Sequence, residues 1–283
     1  MKSATSKGCL LCHGKSSRIV FSYTRPDKYE AAVGVGPKDY SRKWVECKTC
    51  GLHYSVYSRP EKILDKIYLS AYRNKDSSWR GDSPEDICKK VAALPRGGSE
   101  TKFRVAWIKK NIAELWKDGL ARKGMPPYKA LDIGGGSGVF AYEFRDIEWQ
   151  TYIIDPAKNT AFIKTELRIP LIQRFYAPRS FKTKFTLISL IYVLEHVLNP
   201  ILFLKNVRKD MGNNSFLYLE VPDAVSFRLK PPDDDIFNSC HLWMFNTRTL
   251  TTLLDLCGFE VLRLVRLKVI RGHFGLIALA GLK

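Results

Sequence analysis

The sequence predicts an α/β fold, a mainly parallel sheet covered by helices on both faces, closed by an antiparallel hairpin and preceded by a small cysteine-bearing module. Three observations carry that expectation. From residue 129 onward, short apolar runs alternate with helical stretches, the pattern of a parallel sheet with crossover helices. An apolar run ending at Asp132 opens directly into a glycine turn with Gly134, Gly136 and Gly138 at every second residue. Near the start, Cys9-x-x-Cys12 and Cys47-x-x-Cys50 pair up, each beside glycine.

Taken in chain order, the cysteine pairs come first. Each C-x-x-C in a turn forms a knuckle, and four thiolates from two knuckles bind zinc tetrahedrally at about 2.3 Å. Cys9, Cys12, Cys47 and Cys50 are therefore the expected ligands of a structural Zn2+, with F-S-Y (21–23) and R-K-W-V-E (42–46) as ribbon strands. His13 and His53 stand beside the knuckles as bystanders that could substitute. A closed four-cysteine set leaves no open position, so this zinc should hold the fold rather than catalyse. A short helix is expected over Glu61–Tyr72, completing a zinc-ribbon module at 1–72. Residues 73–99, rich in Ser, Gly, Asp and Pro, are expected to be a linker or lid, leaving 100–283 as the main domain.

That domain should begin with a helix at Glu100–Lys117, whose apolar stripe includes Ile108, Ile112 and Leu115. Strand 129–133 leads into the glycine turn, where the lack of a Cβ permits positive φ and lets a ligand approach the backbone. The spacing is neither G-x-G-x-x-G nor a P-loop, so no phosphate cradle is implied. Asp132 sits where a cationic or hydroxyl-bearing ligand needs an acceptor. A helix at 138–146 and a strand at 151–154 follow, the latter ending in Asp155 about 20 residues after the glycines, the place of an acid that binds a ribose diol. A helix at 157–167, a strand at 185–191, a helix at 199–210 and a strand at 215–221 continue the alternation. After a helix at 247–257, the strands F-E-V-L-R-L-V-R-L and G-L-I-A-L-A-G-L are joined by R-G-H-F, too short for a crossover, so they must be antiparallel.

Composition narrows the function classes. The chain has 283 residues, 45% of them hydrophobic, enough for a full core. No apolar run reaches the ~18 residues of a membrane span, and the sequence shows no secretory signal, so a cytoplasmic location is expected. Seven cysteines, an odd number, favour reduced thiols and a metal over disulfides. The net charge of +18 asks for an anionic partner: a nucleotide-linked or phosphorylated substrate, nucleic acid, or an anionic membrane surface touched peripherally.

These motifs together resemble the class I methyltransferases that use S-adenosylmethionine. The glycine turn is similar to their motif I, and F-T-L-I-S-L-I-Y-V-L-E-H-V (185–197) to their fourth strand and "L-E-H" turn. F-L-Y-L-E-V-P-D (216–223) is similar to the fifth strand. The segment from His241 to Glu260 and the W-V-E-C-K-T-C-G-L-H-Y run are similar to the glycan- and sugar-modifying branch that carries a zinc ribbon. The resemblance implies a Rossmann-like fold, S-adenosyl-L-methionine as cofactor, and a sugar acceptor, nucleotide-linked or within a surface polysaccharide.

It also implies a site at the carboxyl ends of the strands. Asp132, Gly134, Gly136 and Gly138 would line the methionine end, Asp155 the ribose, Tyr192 the methyl region and Phe175 the adenine. Glu195 and His196, expected at a helix start facing the cleft, and His241, which matches the family histidine, would serve the acceptor. In related sugar C-methyltransferases Glu precedes that histidine and Tyr stands three before it; here they are Cys240 and Asn238, which favours O- over C-methylation. The competing expectation is an RNA or DNA methyltransferase that uses the basic surface and zinc ribbon to hold nucleic acid.

Overall fold

Two sheets organise the residues described by the computed structural model, which are 8–57, 62–70, 82–158, 160–270 and 272–283. The amino-terminal part forms β1 (Ser17–Tyr23), a one-turn helix α1 (Lys28–Ala31), β2 (Arg42–Cys47), β3 (His53–Tyr57) and α2 (Lys62–Ser70). The expected 61–72 helix is thus present as α2, while residues 61, 71 and 72, and positions 73–81 of the expected linker, lie outside the described residues. The rest of that linker is not featureless. Ser83 caps α3 (Pro84–Ala93) through a reciprocal pair with Asp86, and Pro84 occupies its first turn.

The main sheet follows the expected alternation. After α4 (Glu100–Lys117) come β4 (Tyr128–Ile133), α5 (Val139–Phe144), β5 (Trp149–Ile154), α6 (Ala161–Thr165) and β6 (Leu171–Ile172). Then follow β7 (Phe185–Ile191), α7 (Pro200–Val207), β8 (Met211–Pro222), α8 (Ser226–Leu229), β9 (Trp243–Met244), α9 (Thr247–Leu256), β10 (Phe259–Lys268) and β11 (Phe274–Leu282). The strand order is β10-β11-β8-β7-β4-β5-β6, and β6, β5, β4, β7 and β8 run parallel. β11 pairs antiparallel with both β8 and β10, the expected terminal hairpin.

Side-chain alternation explains why the central strands are apolar throughout. Ala130, Leu187, Phe216, Tyr218 and Leu279 face Ile108, Ile112 and Leu115 of α4. Their neighbours Leu131, Ile188, Leu217, Leu219 and Ala280 face α7 and α9 on the other side. Period 2 along a strand puts successive residues into different layers, so a strand covered on both faces needs apolar residues at nearly every position.

Three helices are shorter than expected. Residues 155–158 are a loop shaped by Asp155, whose Oδ1 accepts from Ala157 N at 2.7 Å, and α6 begins only at Ala161. The 138–146 helix contracts to α5, and the 199–210 helix to α7 followed by a 3-10 turn at Arg208–Asp210.

The smaller sheet has the order β1-β2-β3-β9, and β9 belongs to the carboxy-terminal part of the chain. His53 pairs with Met244 and Tyr54 with Trp243 in antiparallel register. The apolar core is continuous as well: Cys9, Leu11, Cys47 and Leu52 share a cluster with Trp243, Phe245 and Leu250.

Candidate active site

A cavity of about 800 Å³ opens at the carboxyl ends of β4, β7 and β8, within the ~300–1,000 Å³ of ligand sites and where open α/β sheets bind them. Its first wall is the turn after β4. Asp132 is buried at the strand end beside Ser189 of β7, its register partner, whose hydroxyl donates to Asp132 Oδ1 at 2.7 Å. Gly134 has φ +77°, and a Cβ there would come within 2.6 Å of Val193. Gly135, which the sequence reading did not single out, is as constrained: its Cβ would meet Ile153 at 2.8 Å and the Asp132 carboxylate at 2.9 Å. Gly136 N donates to Asp155 Oδ2 at 2.8 Å, so the acid ending β5 braces the glycine turn.

Asp132, Gly134, Gly136 and Tyr192 therefore come together on the cavity wall. Gly138, Asp155 and Phe175 do not line it. Gly138 caps α5 and abuts Ile163, and Asp155 lies behind Gly136 and Ala157, which do line the cavity. Phe175 is 45% exposed. Tyr192, directly after β7, has φ +53°, a strained conformation for a non-glycine residue and one that concentrates at binding sites.

Glu195, His196 and His241 also line the cavity. Glu195 and His196 lie in a 3-10 turn, Leu194–His196, and do not start a helix; α7 begins at Pro200, capped by Asn199, whose side chain accepts from Leu202 N at 3.0 Å. Glu195 consequently caps nothing. It is fully buried, and neither carboxylate oxygen has a hydrogen-bond partner from another residue. Burial pushes its carboxyl well above the usual range, and the Glu220 carboxylate adds to the effect. His196 and His241 lie with ring centroids 4.7 Å apart. Burial pushes His241 down to about 4, against the Ile236 carbonyl and Asp235, so its ring is neutral near neutrality.

Much of what holds His241 comes from the amino-terminal module. Asp27, the cap of α1, accepts from Ser239 N at 2.5 Å and Ser239 Oγ at 2.8 Å. Tyr57 donates to Ser239 O at 2.6 Å, and Arg42 Nη1 to Phe237 O at 2.6 Å. Asn238 braces the same loop, accepting from Cys240 N at 2.8 Å, while Cys240 points into a core with Tyr29 and Ile67. Such contacts span about two hundred residues of chain, and no local pattern announces them.

A second pairing that no motif signalled is Arg104 of α4 with Glu220 of β8. Arg104 lines the cavity, and its Nη2 donates to Glu220 Oε1 at 2.7 Å in a buried pair joined by Tyr218, which donates to Oε2 at 3.1 Å. α3, within the stretch expected as linker or lid, supplies Ile87 and Val91 to the rim.

The four cysteines converge. All are free thiols, their sulfurs lie within 4.8 Å of one another, and Cys9–Cys50 and Cys12–Cys47 are each 3.5 Å apart. A tetrahedral set at about 2.3 Å from zinc has sulfurs roughly 3.8 Å apart, whereas a disulfide requires about 2.05 Å. Against its burial, backbone hydrogen bonds from Cys50 and Thr49 bring the Cys47 thiol down to about 7. His13 and His53 are outside the cluster; His53 stacks on Phe227 with centroids 4.5 Å apart.

Among the described residues, no helix is long and apolar enough to cross a membrane. No curated protein matches the chain. Among solved structures, an S-adenosylmethionine-dependent methyltransferase from Clostridium acetobutylicum ATCC 824 is 12% identical, covering 69% of this chain and 97% of that one at a TM-score of 0.49. The N-methyltransferase NodS from Bradyrhizobium japonicum WM9, in complex with S-adenosyl-L-homocysteine, is 13% identical over 70% of this chain and 98% of its own, with a TM-score of 0.46. The glycopeptide N-methyltransferase MtfA is 15% identical over 61% and 90%, with a TM-score of 0.45. Residues 100–264, more than half of the chain, match a family model described as a methyltransferase domain. That span runs from the first turn of α4 through the glycine turn to His241 and beyond, and the chain belongs to this methyltransferase family as an S-adenosylmethionine-dependent enzyme.

Proposed function

We propose that the enzyme methylates a hydroxyl of a sugar, nucleotide-linked or part of a surface polysaccharide, with Asp132, the glycine turn, Asp155 and Tyr192 holding the cofactor. S-adenosylmethionine supplies an electrophilic methyl group on a sulfonium, and positioning the acceptor oxygen in line with it accounts for most of the rate. The glycine turn fits such a ligand because its residues Gly134, Gly135 and Gly136 line the cavity with backbone, the first two packed too closely on Val193, Ile153 and Asp132 to carry a Cβ. Asp155 supports the cofactor from behind, keeping the cradle in shape by accepting from Gly136 N and Ala157 N.

The observation that carries the acceptor reading is that Glu195, His196 and His241 line the cavity together, their ligand atoms within 4.8 Å of one another. A neutral imidazole accepts a hydrogen bond from a hydroxyl and receives its proton as the methyl group transfers. The charged lining among the described residues is mostly carboxylate, including Asp82, Asp234 and Asp235, with Arg104 and Lys230 as cations and Arg104 already committed to Glu220. An uncharged polyol therefore suits the cavity better than a phosphate, and the surface charge of +18 would serve phosphates outside it. Oxygen rather than carbon methylation is favoured by Asn238 and Cys240, which brace the loop and fill the core instead of offering acid and phenol.

In the amino-terminal module, Cys9, Cys12, Cys47 and Cys50 would hold one structural zinc. The testing experiment incubates the full-length enzyme and S-adenosylmethionine separately with nucleotide sugars, oligosaccharides and RNA, and follows each by mass spectrometry. A gain of one methyl group in a sugar is the expected result; methylated RNA with unchanged sugars would replace this reading with the nucleic-acid one.

A further inference from the structure

We propose that Glu195, His196 and His241 form a second metal site, a two-histidine, one-carboxylate set for a divalent transition-metal ion. Their ligand atoms lie within 4.8 Å of one another, and His196 Nε2 is 3.8 Å from Glu195 Oε1. Both rings are oriented by backbone carbonyls. His196 Nδ1 is 3.0 Å from Cys240 O and His241 Nδ1 is 2.7 Å from Ile236 O. A carbonyl only accepts, so each Nδ1 carries the hydrogen and each Nε2 is left as the lone-pair atom, the arrangement in which imidazoles ligate metals.

The carboxylate supplies the independent observation. Glu195 is fully buried, beside two rings whose Nε2 atoms have no hydrogen to give, and neither of its oxygens has a hydrogen-bond partner. Three electron-pair donors thus converge where a buried polar group ordinarily requires compensation. A divalent ion supplies it for the Glu195 carboxylate, with the two Nε2 atoms completing the ligand set. The ligand-bearing segments are also fixed to each other, since Leu242 N donates to Glu195 O at 2.8 Å. Unlike the closed cysteine set, three ligands leave coordination positions open, and all three residues line the cavity. Imidazole and carboxylate donors suit Mn2+, Fe2+, Co2+ or Zn2+, whereas thiolates select softer ions.

The consequence for catalysis rests on the reading of this cavity as the acceptor site. An acceptor with two neighbouring oxygens, such as a vicinal diol, would bind through the open positions, and His241 would then act as a ligand rather than a direct base.

The test uses the full chain with zinc in its cysteine module and titrates it with MnCl2, a hard ion that leaves thiolates alone. Electron paramagnetic resonance of free Mn2+ should show one ion bound per chain at micromolar concentration, with hyperfine coupling to two imidazole nitrogens in the bound spectrum. Glu195→Gln and His241→Gln should each weaken binding at least about tenfold while S-adenosylmethionine affinity persists. Absence of Mn2+, Co2+ and Zn2+ binding beyond the cysteine site would overturn the proposal, as would a bound spectrum without nitrogen coupling, which needs no variant to fold. Metal binding without sugar methylation would sink only the acceptor reading; sugar methylation by an enzyme that takes no second ion would sink only the metal.

Discussion

At the scale of single residues, the wall proposed to hold the cofactor depends on backbone that has no space for a side chain and on one acid placed behind it. Asp155→Ala removes the acceptor for both Gly136 N and Ala157 N, and S-adenosylmethionine affinity by calorimetry should fall at least about tenfold, about 1.4 kcal/mol. Unchanged affinity would remove Asp155 from the cofactor site. Gly134→Ala must hold φ near +77° with a methyl group against Val193, and thermal unfolding should show a loss of more than about 1 kcal/mol. His241→Ala should lower turnover while sparing cofactor affinity, because the proposed function places the ring at the acceptor; full turnover would exclude it from acceptor chemistry. Asp132 and the glycines were legible in the sequence because chemistry and conformation coincide within one short segment. Gly135 escaped notice since its constraint comes from Ile153 and the Asp132 side chain, contacts visible only once β4 and β5 pair.

At the scale of elements, strands were easier to read than helices. β4, β7, β8 and β11 are largely apolar runs whose burial on two faces leaves an unmistakable pattern, and β10, half-buried and interrupted by Arg263 and Arg266, was legible through the short connection to β11. Helix ends depend on capping, and the Ser83–Asp86 pair that starts α3 sits in a stretch whose composition suggests a linker. The turn carrying Glu195 shows the same difficulty: an acid before an apolar run reads as a helix start, but Asn199 and Pro200 take that role instead. The loop bearing His241 is governed by α1, β2 and β3 through hydrogen bonds from distant sequence. Asp27→Ala removes both the α1 cap and the hold on Ser239, so stability should drop by about 1–2 kcal/mol. In steady-state kinetics kcat should fall further than cofactor affinity; equal losses would point to a general unfolding rather than a displaced His241 loop.

For the whole molecule, the cysteine module and the methyltransferase sheet are one mechanical unit. Loss of metal from Cys9, Cys12, Cys47 and Cys50 would loosen the knuckles that end β2 and precede β3, and β3 holds β9 two residues beyond His241. If the cysteines hold zinc as proposed, Cys50→Ser should lower metal content and turnover together, whereas S-adenosylmethionine affinity, assigned to the glycine turn, should fall less; metal analysis and kinetics on one preparation compare them. Normal turnover in a zinc-free variant would separate the module from catalysis. The pairing of β3 with β9 also has a consequence during synthesis. β1, β2 and β3 leave the ribosome before the main sheet, yet the fourth strand of their sheet is encoded beyond residue 240. That sheet's last edge must remain open until β4 to β8 of the main sheet have been translated, so a sheet begun before them is finished only after them, with β10 and β11 still to come.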